Sequence, residues 1–256
     1  MFNSFKNVGM KYPKRVHVAP VGFEIDRVVL PFIEMDGERI HLIVRKGRNE
    51  RGDKCVKAIC EELDRRKQPY KIYETELDLF RLIYTCRKII DEELRAGNHV
   101  FVNMSSGGSM HAVACHFATL TFKEGVSAYY AYPERYNERV DPDRPEASSG
   151  FSKIQTVPHH SIEMPSEDEF KVLFIIMKSK IPSKKAILED CIAANLITGE
   201  GKSKPYGHVV LETRFLRPME EQGLILVEGK GRKSRVRITE KGINTLHLNG
   251  WFENSP

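Results

Sequence analysis

The stretch His99-Val100-Phe101-Val102-Asn103-Met104-Ser105-Ser106-Gly107-Gly108-Ser109-Met110-His111, continuing from Ala112 to Gly125, decides how the rest of the chain is read. Val100 to Val102 is a short apolar run of branched and aromatic residues, which predicts a strand buried on both faces. Ser105 to Ser109 then brings two glycines and three hydroxyls. Beyond this break Met110, Val113, Ala114, Phe117, Leu120 and Thr121 keep the spacing of one helix face, and Gly125 ends the helix. A strand, a Gly/Ser turn and a helix start form a cradle for an anion. The first helical N–H groups lack partners within the helix, and the helix dipole makes that end positive. Gly107 and Gly108 permit close approach of a ligand, and Ser105, Ser106 and Ser109 supply hydrogen bonds. A plain βα turn whose serine caps the helix accounts for the same residues.

Working outward, strands and helices alternate. Arg15 to Gly22 predicts the first strand, ending at Pro20-Val21-Gly22-Phe23. Ile25, Val28, Val29, Phe32 and Ile33 predict a helix, stopped by Asp36-Gly37. Arg39 to Lys46 and Tyr70 to Leu77 predict two more strands, separated by a helix through Val56, Ile59, Cys60 and Leu63. Leu79 to Leu94 predicts a third helix before the central strand, and Ser127 to Tyr132 a fifth strand. This rhythm implies a Rossmann-like, doubly wound parallel α/β sheet with helices on both faces. Ligands of such sheets sit beyond the carboxyl ends of the strands, where the strand order reverses. If the first and fourth strands are neighbours, Gly22 and Phe23 meet Asn103 to Ser109 at that point.

Asn137 to Gly150 is polar with two prolines and is expected to be a loop or flexible insert; Ile154 to Ile162 predicts an extra strand. In a strand the adjacent His159 and His160 face opposite ways, which argues against a metal site there. After Pro165 the pattern changes. Ser166-Glu167-Asp168-Glu169 is a capping box, and Phe170, Leu173, Phe174 and Met177 give the first helix of a second domain. A helix from Pro182-Ser183 and another from Tyr206 to Gln222 follow, with Pro218 demanding a kink or an early end. Leu226 to Glu228 and Val236 to Thr239 predict two strands flanking Gly229-Lys230-Gly231-Arg232-Lys233-Ser234-Arg235, and Glu240 to Leu248 a last helix. Three helices and a basic hairpin make a winged helix-turn-helix. Candidate DNA contacts are Lys204, Tyr206, His208, Thr213, Arg214 and Arg217 on the third helix, with Lys230, Arg232, Lys233, Arg235 and Arg237 in the wing. A winged helix that contacts protein instead of DNA remains open. The expected domains are 1–14 (lead-in), 15–136 (sensor), 137–165 (linker and connecting strand) and 166–256 (winged helix).

Composition narrows the classes. The 256 residues are 41% hydrophobic, which supports real cores, and the net charge of +5 is too mild to name a partner. No apolar run approaches the roughly 20 residues needed to span a bilayer. Met1 to Lys14 lacks an apolar signal core, so the expected location is cytoplasmic. Cys55, Cys60, Cys86, Cys115 and Cys191 sit among apolar residues with no Cys-x-x-Cys, as packed thiols do. Gly-x-Gly-x-x-Gly is absent after the first strand and Gly-x-Ser-x-Gly is absent at the turn, which argues against nicotinamide and serine-hydrolase enzymes. Glu24, Asp26 and Asp53 fit surface helix charges better than an acid–base pair. Neither a cofactor nor a metal is expected.

With both halves placed, the strand-one exit Val18-Ala19-Pro20-Val21-Gly22-Phe23-Glu24 and the strand-four exit Val102 to Ser109 resemble those of archaeal transcription regulators. These regulators join a CRISPR-associated Rossmann-fold (CARF) domain to a winged helix. The resemblance implies a homodimer binding a nucleotide second messenger, a cyclic oligoadenylate, between its two copies, and winged helices binding double-stranded DNA. It implies ligand contacts at Gly22, Phe23, Asn103, Ser105, Ser106, Gly107, Gly108 and Ser109. Many relatives carry Lys or Arg just past the Gly-Gly; here that place holds Ser109-Met110-His111. A ring nuclease acting in the same pocket is the alternative.

Overall fold

The structure, a computed structural model, describes residues 12–138, 145–179, 183–197, 204–229, 231 and 234–251, with Lys204 and Pro205 described by backbone alone. They fall into two compact units, the first ending at Ile162 and the second beginning at Glu163.

In the first unit β1 (Arg15–Val21), α1 (Asp26–Glu34), β2 (Arg39–Arg45), α2 (Glu50–Arg65), β3 (Tyr70–Thr75), α3 (Leu79–Arg95), β4 (His99–Asn103), α4 (Ser109–Leu120) and β5 (Val126–Tyr132) alternate strictly. The short β6 (Arg135–Tyr136) and β7 (Ser148–Ser149) pair with each other, and β8 (Lys153–Val157) completes the main sheet. Its order is β3-β2-β1-β4-β5-β8. Five strands are parallel, and β8 runs antiparallel to β5 at the edge, ending before the histidines that the predicted strand included. β1 runs between β2 and β4, so every residue after Arg15 is buried, as its apolar run requires. Ala19 and Val21 pack with Val28, Phe32, Ile59 and Leu63 of α1 and α2, while the alternate Val16 and Val18 point to the other face.

Some buried positions are polar. His17 is fully buried, its Nδ1 stands 3.0 Å from the Tyr129 hydroxyl, and its ring stacks on Phe101. Burial, with a smaller push from Arg15, lowers its pKa from 6.5 to about 3. A second buried group lies between β2 and α3, where Glu93 accepts from Arg39 at 2.6 Å and from Asn98 at 2.6 Å, with His41 Nε2 2.7 Å away.

The second unit is a winged helix. α5 (Glu167–Lys178) starts at the expected capping box, with Ser166 N donating to Glu169 at 2.8 Å. α6 (Lys184–Ala193) is capped by Ser183. α7 (Lys204–Val210) runs through a π-helical segment, Leu211–Leu216, into α8 (Arg217–Glu221). This resolves Pro218 by a route the sequence did not indicate. Proline lacks an N–H and crowds the carbonyl one turn back, and the widened turn ahead of it absorbs both without ending the helix. β9 (Ile225–Glu228) and β10 (Arg235–Ile238) pair antiparallel, and α9 (Glu240–Leu248) closes the unit. Phe170, Leu173, Ile187, Leu211, Phe215 and Leu246 form its core. Among the described residues no helix is long and apolar enough to cross a membrane.

His17, His41 and His111 are all held below the ordinary histidine value chiefly by burial. Below about pH 6.5 the unfolded chain therefore binds protons that the folded chain refuses, and stability falls with pH; above it both states are neutral and the contribution is flat. A His17→Gln variant should lose less stability than the parent between pH 6 and 4, by up to about 1.4 kcal/mol per pH unit. Urea midpoints across that range measure it, and parallel slopes would contradict it.

Candidate ligand cleft and nucleic-acid interface

The strand order reverses between β1 and β4, whose residues 15–18 and 99–102 pair directly. Their exits touch main chain to main chain. A Cβ on Gly22 would stand 2.7 Å from the Gly107 nitrogen and 2.9 Å from its Cα. Gly107 has φ +85°, and a Cβ there would lie 2.8 Å from both Pro20 and His111. Gly108, φ 83° and ψ 174°, leads into α4 without any side-chain cap, and a Cβ there would meet open space. The N-terminal amides of α4 therefore keep their capacity to bind an anion.

The polar residues of the turn have structural partners. Ser106 Oγ accepts from Gly22 N at 3.0 Å, and Ser105 Oγ accepts from Ala131 N at 2.6 Å. Asn103 donates to the Arg27 carbonyl at 2.8 Å and accepts from Ser105 N at 2.8 Å. These three side chains are buried and tie the β4 exit to β1, α1 and β5. Ser109 is exposed at the start of α4.

A cleft of about 450 Å³ opens at this point. Of the expected ligand residues, Gly22, Phe23, Gly107 and Gly108 line it, and Asn103, Ser105, Ser106 and Ser109 are not among its walls. Arg45, Arg48 and Asn49, which the sequence reading did not select, complete much of it together with His111, which it named only for ring cleavage. Arg45 ends β2, is exposed, and has no ion pair among the described residues. Arg48 is held by Asp53 at 2.7 Å and Glu74 at 2.9 Å. His111 is only 4% exposed, neither ring nitrogen has a side-chain hydrogen-bond partner, and burial lowers its pKa below the ordinary histidine value. Its signal in the sequence was position: it lies one helical turn past the Gly-Gly, and Arg45 ends the strand beside β1.

Phe23 forms the rim, with the Arg51 guanidinium 4.2 Å above its ring. The insert expected to be flexible is pinned here over residues 145–150. Arg51 Nε donates to the Pro145 carbonyl at 2.6 Å, Ala147 N to the Phe23 carbonyl at 2.6 Å, and Gly150 N to Asp26 at 2.8 Å. Ser148 bonds Glu24, which also pairs with Arg27 at 3.1 Å. Glu24, Asp26 and Asp53 thus all serve the scaffold. Residues 139–144 lie outside the described set.

In the second unit Tyr206 and His208 lie on α7, Thr213 and Arg214 on the π-helical segment, and Arg217 begins α8. Arg214 donates to Asp168 at 2.6 Å, and Arg237 lies 3.7 Å from Glu228. Arg217 and Arg235 are exposed, with no ion pair among the described residues. Lys230, Arg232, Lys233 and the side chain of Lys204 lie outside the described residues.

The glycines carry a measurable distinction. Gly108→Ala should cost about 1–3 kcal/mol from backbone strain alone. Gly107→Ala adds the clash with Pro20 and His111 and should cost more, about 2–5 kcal/mol. Denaturant midpoints of the two variants rank them, and equal losses would refute the close packing of the two exits.

Two family models match the chain. Residues 15–136 match the model described as HFX_2341_N-like, N-terminal, and residues 172–250 match the DUF6293 C-terminal winged helix domain. The uncharacterized protein MJ1513 of Methanocaldococcus jannaschii is 28% identical over 128 residues, 47% of this chain and 38% of its own length. Among solved structures, Enterococcus italicus Csm6 bound to cyclic hexa-2'-fluoro-hexa-dAMP is similar at 10% identity and a TM-score of 0.43, over 83% of this chain and 56% of that one. Can2 from Sulfobacillus thermosulfidooxidans in complex with cyclic tetra-adenylate is similar at 13% identity and a TM-score of 0.37, over 93% of this chain and 65% of that one. The chain thus joins an HFX_2341_N-like N-terminal domain of Rossmann-like fold to a DUF6293-type C-terminal winged helix, the architecture that the CARF–winged-helix resemblance implied.

Proposed function

We propose that the chain is a ligand-responsive DNA-binding regulator. The first unit binds a nucleotide, a cyclic oligoadenylate by the resemblance of its strand exits, and the winged helix binds duplex DNA. The observation that carries this is the contact of Gly22 with Gly107, which leaves the uncapped start of α4 facing a cleft beside Arg45 and His111. Main-chain amides and an arginine attract phosphate, and a neutral imidazole can donate to or accept from a base or a ribose.

A homodimer fits the outer surface of α4. Met110, Val113 and Phe117 are 43%, 56% and 36% exposed, so these large residues of the predicted apolar face point to solvent, while Ala114 of the same face is buried. The buried side of the helix carries Ala114, Cys115 and Ala118, small enough for close packing, with Cys115 against Cys86 of α3. A second copy across a twofold axis would cover the stripe with the same patch of itself, and a ring with internal symmetry suits such an interface. Binding would reach the winged helices only if the ligand prefers one dimer state.

Cleavage of the bound ring is a second reading, favoured by His111, whose imidazole lines the cleft and could accept a ribose proton.

Calorimetry with cyclic tetra-adenylate should show saturable binding, weakened roughly 10- to 100-fold by Arg45→Ala if that side chain meets a phosphate. Gel retardation of the protein's own promoter should change when the nucleotide is added. Neutralising Arg235 should flatten the salt dependence by about one unit. Absence of nucleotide binding rejects the sensor, and absence of retardation on every duplex at low salt rejects the DNA reader. Chromatography of ring incubated with parent and His111→Ala protein separates sensing from cleavage.

A further inference from the structure

On the third helix of the winged helix, two of the described charged side chains, Arg214 and Glu212, are engaged within the protein. Arg214 is drawn to Asp168 at 2.6 Å, with its guanidinium 4.9 Å from the Phe215 ring. Glu212 is held by Lys184 at 2.6 Å. Tyr206 and Val209 are 43% and 57% exposed, and Thr213 is exposed one turn further on. Spacings of three and four residues place the three on one face. Thr213 turns its hydroxyl inward, donating to the Val209 carbonyl at 2.8 Å. Among the described residues, this face therefore offers a partner the Thr213 and Val209 side chains, with the Tyr206 ring one turn before them.

Exposed methyls suit an occupant with apolar groups, and the exposed arginines of the same unit suit an anionic one. Arg217 and Arg235, exposed and without ion pairs among the described residues, belong to the same unit. Duplex DNA meets both needs. Its phosphates suit the arginines, and its major groove offers a single methyl group, at C5 of thymine. The third helix of a helix-turn-helix contacts base edges with its N-terminal residues, which here include Val209. The familiar bidentate arginine–guanine contact is not open to Arg214 while Asp168 holds it.

Resting on the DNA-binding function proposed above, we infer that Val209 and Thr213 read thymine methyl groups, so the operator is specified by thymine at the steps under this helix. Selectivity then comes from burial of methyl on methyl, and the arginines supply register and salt dependence.

The test uses the full chain. A duplex selected from a random pool is compared with a copy in which deoxyuridine replaces thymine, which removes the methyl and keeps pairing and charge. The copy should bind about fourfold more weakly for each methyl buried. Val209→Ala and Thr213→Ser, both at exposed positions, should bring the thymine-to-uracil ratio towards one without lowering the melting temperature. Thr213→Ser keeps the hydroxyl, so only the methyl is at issue. Equal binding of the two duplexes, a selected site without thymine, or a ratio unchanged in both variants overturns the inference. Failure to retard any duplex at low salt overturns DNA binding itself, a separate result.

Discussion

The contact between Gly22 and Gly107 is the constraint on which the first unit depends. Any side chain at Gly22 would sit within 3 Å of the backbone of Gly107. The two residues are far apart in sequence and meet because β1 and β4 run side by side. Their crossovers leave toward opposite faces, so no helix fills the gap beyond the strand ends. A third contact fixes the arrangement, with Gly22 N donating to Ser106 Oγ at 3.0 Å. The start of α4 is thereby left open, since the residue before it is a glycine with no side chain to cap it.

Hydrogen-bond accounting then separates scaffold from site. Buried polar groups need partners, and Asn103, Ser105 and Ser106 find them within the protein. Glu24 does the same beneath the pinned insert, with Ser148 and Arg27. His111 has no side-chain partner, although it is as deeply buried. The same accounting in the second unit engages Arg214, Glu212 and the Thr213 hydroxyl, and leaves methyl groups facing outward. In both units the surface offered to a partner is what internal pairing has left over.

α4 shows how the choice of neighbours redirects a periodic pattern. Its large apolar residues keep helical spacing, yet the small Ala114, Cys115 and Ala118 are the ones buried, with Cys115 against Cys86 of α3. Small residues allow the helix axis to approach closely, and the larger ones are displaced to the outside. An apolar stripe left in water on a folded domain marks a contact surface. The stripe starts at Met110, next to the cleft residue His111.

The amino-acid sequence by itself determined the alternation of strands and helices, the Gly/Ser turn after β4, the capping box at Ser166 and the helix–helix–helix–wing order. These follow from local causes: side-chain period, backbone freedom at glycine, and hydrogen bonds spanning three residues. Only the tertiary structure decided which residues of the turn face the cleft, that Arg45 joins it, that the α4 stripe points outward, and that Pro218 is absorbed by a π-helical turn. A serine that holds a backbone amide and one that awaits a ligand look alike in sequence. The difference lies in partners such as Ala131 for Ser105 and Gly22 for Ser106, residues brought close by strand pairing and not by chain neighbourhood.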